Sequence, residues 1–351
     1  MRSHRPAASL LWAMVAILAA FSARAQDADT GSVAGHVYCA DTQKPARFAN
    51  VRLQPLDSQE SRFGGRGGGG VATTGSDGSF RITGVSPGDY YVDVMMPGYI
   101  QPLRGRVLNQ ESLAPAERDR ITAQLTRVGV AANQSASVQV MIFRGATISG
   151  TVSFDDGAPA SGVSMQALVL PSNATGTQTA SSTQPPSFAG FAQTDDRGQF
   201  RLTGLADGTY IVFASPRSIF PIYYGNTIER SSAKKLDVHA GDEVSGTDIQ
   251  IPAEGMHRVS GVVESQQDGH PLSRASVQLR LGSGNTAAIS ATTGSDGTFT
   301  FNAVPDGKFT VQILNAYDPT THEGYTSSGQ SLEVNGTDVT DLIVNAAPPS
   351  N

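Results

Sequence analysis

The chain has 351 residues, 39% of them hydrophobic and 16% charged, with 25 basic against 31 acidic side chains for a formal net charge of −6. That length exceeds one compact β-domain and suits two or three domains. The acidic balance argues against nucleic acid and anionic membranes as partners, and a single cysteine, Cys39, rules out an intramolecular disulfide.

The first 25 residues have the three parts of a secretory signal peptide. Arg2, His4 and Arg5 form a basic start, Ala8–Phe21 an apolar stretch, and Ala23-Arg24-Ala25 a small-x-small cleavage site before Gln26. The apolar run of 14 residues is short of the roughly 20 that cross a bilayer as a helix, with an uncleaved anchor as the alternative. Cleavage between Ala25 and Gln26 removes three arginines and no acid, which moves the net charge from −6 to −9. No later stretch is apolar enough to span, so the mature protein is expected to be secreted, either periplasmic or extracellular. The only tryptophan, Trp12, leaves with the leader.

Residues 26–144 begin with short alternating runs at Val33–Tyr38 and Val51–Leu53, the pattern of strands with one buried face. Cys39 falls at the end of the first, where a packing role is the plain reading. A glycine-rich loop, Ser61–Gly70, and an Asp-Gly turn at Asp77-Gly78 follow. Between Gln101 and Arg127, Ile121, Leu125 and Val128 stand at helical spacing, so a short helical insert is expected. The unit closes with the apolar run Val138–Ile142.

Residues 145–255 repeat the order, with strands at Ile148–Val152, Val163–Leu170 and Ile249–Ile251 and a Ser/Thr-rich loop at Ser172–Ser187. Residues 256–351 repeat it again, from Val259–Val263 to Val339–Val344. The central segments align without a gap. Gly78-Ser-Phe80 is followed by Gly88-Asp-Tyr90, Gly198-Gln-Phe200 by Gly208-Thr-Tyr210, and Gly297-Thr-Phe299 by Gly307-Lys-Phe309. The hexapeptide TTGSDG itself occurs at Thr73–Gly78 and Thr292–Gly297. Repetition in fixed register marks a duplicated structural unit, and strands without intervening helices predict an all-β chain of three tandem β-sandwiches.

This pattern of Gly-x-Val, Thr-x-x-Asp-Gly-x-Phe and Gly-x-Tyr-x-Val resembles the carboxypeptidase regulatory-like domain, in three copies over residues 31–346. The resemblance implies a prealbumin-like (transthyretin-like) seven-stranded sandwich, also classed as a carbohydrate-binding-like fold. It further implies an accessory role, beside peptidases, at the start of outer-membrane receptors, or alone in secreted bacterial proteins.

Chemistry is sparse. No histidine is followed by Glu at the third residue, as a metallocarboxypeptidase zinc site needs, and no Gly-x-Ser-x-Gly elbow is present. Neither a catalytic residue, a cofactor nor a metal is expected. Asp155-Asp156, Asp195-Asp196 and Asp77 offer oxygens for calcium, but each loop supplies one or two where calcium takes six to eight. Asp77-Gly78, Gly198 and Asp296-Gly297 have a sufficient local reason as tight turns. The arginines of the glycine loop and the run Arg230–Lys235 are expected to be solvated loop residues.

The most specific candidate function is glycan binding, in which a sugar ring stacks on an exposed aromatic face. Without tryptophan the candidates are Phe220, Tyr223 and Tyr224, then Phe188 and Phe191, while the repeated Tyr90, Tyr210 and Phe309 belong to cores. The favoured expectation is a monomeric, non-catalytic adhesion, scaffold or interaction protein of the cell envelope. A polysaccharide-binding protein and accessory domains of a peptidase or transport system are the alternatives.

Overall fold

The computed structural model describes residues 30–56, 70–100, 122–123, 125–170, 187–282, 287–318 and 323–348. The expected signal peptide with its expected Ala25/Gln26 cleavage site, most of the two low-complexity loops and most of the expected helical insert lie outside the described residues. The chain divides into two compact units, Met1–Met96 with Ile100–Phe143, and Pro97–Tyr99 with Arg144–Asn351.

The first unit holds one sandwich, module 1, of seven strands: β1 (Gly31–Cys39), β2 (Asn50–Pro55), β3 (Val71–Thr73), β4 (Ser79–Val85), β5 (Gly88–Met95), β6 (Thr126–Val130) and β7 (Ser135–Ile142). They form two sheets, β4-β1-β7 and β3-β2-β5-β6. Neighbours are antiparallel except β1 and β7, the first and last strands, which run parallel from Ser32↔Ser135 to Cys39↔Ile142. Alternation explains the burial. Val51 and Leu53 of β2 and Phe80 and Ile82 of β4 are buried, while Arg52 and Arg81 between them face out. Cys39 is buried at the end of β1. Val128, expected on a helix, lies on β6: its neighbours Arg127 and Gly129 are exposed, so alternation rather than helical spacing governs this stretch.

The second unit holds two sandwiches. Module 2 comprises β8 (Ala146–Phe154), β9 (Ser164–Val169), β10 (Ser187–Gln193), β11 (Gln199–Leu205), β12 (Gly208–Ser215), β13 (Ile222–Tyr223), β14 (Lys235–Val238), β15 (Glu243–Val244) and β16 (Ile249–Ile251). Module 3 comprises β17 (Met256–Ser265), β18 (Ser276–Leu281), β19 (Ala288–Thr292), β20 (Thr298–Pro305), β21 (Gly307–Asp318), β22 (Glu323–Tyr325), β23 (Gln330–Val334) and β24 (Val339–Ala346). Both keep the topology of module 1: β11-β8-β15 with β16 on β8, and β20-β17-β24, each with the last strand parallel to the first. Two features depart from the seven strands of module 1. Each module gains a short strand beyond its central one, β13 on β12 and β22 on β21. In module 2 the last strand is split into β15 and β16, and buried Thr247 lies in the gap.

The Gly-x-Val signature has a steric reason in all three modules. A Cβ on Gly35, Gly150 or Gly261 would fall inside contact distance of the backbone oxygen of Val138, Thr247 or Leu342. Only glycine lets the parallel last strand come that close. Tyr90, Tyr210 and Phe309 are buried in the cores, and the two tyrosine hydroxyls donate to Ser86 O (2.8 Å) and Ala206 O (2.7 Å).

Candidate functional site

The repeated turn is built from three residues. Gly78, Gly198 and Gly297 have φ of 79°, 74° and 76°, the left-handed region that favours glycine. The Asp77 carboxylate accepts from the Ser79 amide (3.0 Å) and hydroxyl (2.7 Å), and Asp296 accepts likewise from Thr298 at 3.1 and 2.7 Å. The side-chain hydrogen bond first, then the backbone one, holds both carboxyls below their ordinary value. Module 2 has Arg197 where the others have the acid, and Asp195 caps the turn instead, accepting from Arg197 N (2.9 Å) and Gln199 N (2.8 Å).

The third member is a buried threonine, present in the repeat pattern but given no role by sequence reasoning. Thr74, Thr194 and Thr293 each stand four residues before the turn glycine and are almost fully buried. Each hydroxyl donates to one carbonyl of the preceding loop, Ala46, Ala160 or Leu272, at 2.6–2.7 Å. Each also accepts an amide three residues further on, Ala49, Val163 or Ala275, at 2.8–2.9 Å. The four-residue interval from threonine to glycine in all three repeats was the available signal.

Asp155 and Asp156 are also engaged in backbone contacts. Asp156 Oδ1 accepts from Ala158 N (2.9 Å), and Asp155 accepts from Ala253 N (3.1 Å) and Glu254 N (3.4 Å). His270 Nδ1 lies 2.6 Å from Asp268, His257 Nε2 3.1 Å from Asp306 and His239 Nδ1 3.5 Å from Asp242, three separate pairs. Among the described residues no group of three or more His, Cys, Asp or Glu is placed to hold a metal ion. Among them, too, no helix is long and apolar enough to cross a membrane.

The expected aromatic platform lies in the segment from β12 to β14. Pro216 ends β12 by removing a donor, and Ser218, at φ 61°, turns the chain back. Ile219 and Ile222 then pack on the module 2 core, whereas Phe220 between them is fully buried in the core of module 3. Its ring lies 5.4 Å from that of Phe309, at 29°. Tyr223 is buried on the outer face of the β12 sheet with Ile211, Phe213 and Ala233, its ring 5.2 Å from Phe213. Burial pushes its hydroxyl pKa up, against the opposing charge of Arg230. Tyr224 is half-buried, and Lys234 Nζ sits 5.4 Å from its ring centre. Phe220 and Tyr223 therefore offer no open ring for stacking, because apolar packing outcompetes solvent exposure for large aromatics. The exposed aromatics of module 2 are Phe188 and Phe191, at 43% and 50% exposure on edge strand β10.

That outer face distinguishes the modules. In module 2 adjacent rows carry Phe188, Leu168 and Ile211, then Phe191, Gln166 and Phe213. In module 3 the same rows carry Ala288, Arg280 and Thr310, then Ser290, Gln278 and Gln312, with Gln312 Nε2 donating to Gln278 Oε1 at 2.9 Å. In module 1 the strand pair places Asp93 beside Arg52. Asp93 is 5% exposed, its Oδ1 has no hydrogen-bond partner, and burial pushes its pKa up to about 6 against the nearby Arg52 charge.

Among solved structures, the Bacillus anthracis TIE protein is 13% identical with a TM-score of 0.22, covering 91% of this chain. This chain spans about half, 51%, of that protein's length. A Streptococcal ancillary pilin is 12% identical with a TM-score of 0.29, covering 91% of this chain and 100% of its own. The major pilin subunit of Bacillus cereus is 10% identical with a TM-score of 0.23, covering 91% of this chain and 100% of its own. No curated protein matches the sequence. The family model of the carboxypeptidase regulatory-like domain matches residues 258–346, from β17 to the end of β24. The third module is thus similar to the carboxypeptidase regulatory-like domain over nearly its whole length.

Proposed function

We propose that this chain is an exported, non-catalytic, monomeric protein whose β-sandwich modules serve as a scaffold or interaction element at the cell envelope. The observation that carries this reading is how each repeat uses the polar residues around its turn. Thr74, Thr194 and Thr293 bind loop backbone, and Asp77, Asp195 and Asp296 close turns. Residues spent on backbone satisfaction are poor acids, bases or ligands for a substrate. A decisive check follows the secreted chain and then its chemistry. The exported protein should begin at Gln26 by mass, and a panel of peptide, ester and glycoside substrates should show no turnover. Turnover abolished by one substitution at an exposed Asp or His would overturn the reading.

A glycan-binding role for module 2 is the second reading, supported by the exposure of Phe188 and Phe191 with the amide of Gln166 in the row of Phe191. Affinity electrophoresis through polysaccharide-containing gels separates the two. Retardation lost on joint Phe188→Ser and Phe191→Ser substitution supports glycan binding, and mobility unaffected by every polysaccharide removes it.

A further inference from the structure

Phe220 belongs to module 2 in sequence and to module 3 in packing. Its neighbours Ile219 and Ile222 face their own module, but its ring is fully buried in the module 3 cluster, stacked on Phe309 at 5.4 Å. Ile228, later in the same segment, packs against both cores. Asn226, also in that segment, accepts the Gln250 amide at 2.9 Å and so holds β16, the strand that leads into module 3. From the turn after β8, Asp155 binds the amides of Ala253 and Glu254 in the connection.

Position 309 matches this arrangement. Tyr90 and Tyr210 each use a hydroxyl to bind the carbonyl four residues earlier. Module 3 has phenylalanine there, and this ring stacks on an aromatic supplied by module 2. An apolar ring against an apolar ring needs no hydroxyl, which suits phenylalanine at position 309 to its place beside Phe220.

We propose that Phe220 is a latch: module 2 supplies a side chain that completes the core of module 3, so that the stability of module 3 is set by its attachment to module 2. The connection alone would leave two independent sandwiches, whereas the latch couples them. This coupling is independent of whatever the protein binds.

Hydrogen exchange on the full-length chain, read peptide by peptide, tests it. With Phe220→Ala the slowest amides of β18 and β21 should exchange on the order of a hundredfold faster, as for loss of a buried phenylalanine. Those of β8 and β11 in module 2 should change by less than about threefold, since Phe220 is not part of their core. Phe220→Leu keeps most of the apolar volume and should loosen module 3 by roughly tenfold or less. If the alanine chain fails to fold, the leucine chain carries the same comparison. No change in module 3, or equal loosening of modules 2 and 3, would overturn the proposal.

Discussion

At the scale of single residues, two polar side chains divide according to whether burial is compensated. Thr293 is buried and saturated: it donates to Leu272 O at 2.7 Å and accepts from Ala275 N at 2.8 Å. Thr293→Val keeps the shape and strands both backbone groups, so it should cost about 1–3 kcal/mol, measured by chemical denaturation. Asp93 is buried and unsaturated, with its pKa raised from 3.8 to about 6. Between those values the folded chain keeps a proton that the unfolded chain has released. Its contribution is therefore most favourable below the unfolded value and falls as pH rises through the window. Asp93→Asn should remove this slope and raise the stability of module 1 at neutral pH by up to about 3 kcal/mol. Denaturation midpoints measured between pH 4 and pH 7 check both the slope and its loss. The turn role of Asp77-Gly78 was legible because Asp, Gly and the following phenylalanine are local signals. The role of Thr74 was not, because its partners are 25 and 28 residues away in sequence.

At the scale of elements, most strands were legible from alternation, since one buried face imposes a period of two. The period alone does not say which strands pair, and the parallel joining of first and last strands came only with the structure. The same limit explains Val128: its spacing from Ile121 and Leu125 fits a helix, but strand pairing with Tyr90 decides its face. Pairing also sets the cost of the signature glycine. In module 3 a Cβ on Gly261 meets Leu342 on β24, through backbone and side chain both. Gly261→Ala must push β24 off β17 across the register that runs to Ser265↔Ala346. The expected cost is about 3 kcal/mol, at the upper end of overpacking, with faster exchange of the β24 amides than of β23. A loss below about 0.5 kcal/mol would show that the strand gives way freely.

At the scale of the whole molecule, the repeat was visible in the residues but the joining of modules 2 and 3 was not. The strand pattern sets Phe220 in a loop, where an aromatic looks free for a ligand, and no local period indicates that a second core lies within reach. The consequence is testable by removing that core. Module 2 has a core of its own around Ile148, Met165, Leu202 and Tyr210, so a chain ending at Gly255 retains what that sandwich packs on. It would, however, leave the ring of Phe220 without its socket, beside half-buried Ile228. Exposed aromatic and aliphatic surface of this kind promotes association. The shortened chain should therefore bind a hydrophobic dye and self-associate more than the full-length protein, in dye titration and in sedimentation. Adding Phe220→Ser to the shortened chain should reverse both effects, because a hydroxyl-bearing side chain prefers water. The same substitution in the full-length chain should act in the opposite direction, by placing a polar group in the core of module 3. That reversal of sign between the two chains distinguishes a residue owned by the neighbouring core from one that serves its own loop.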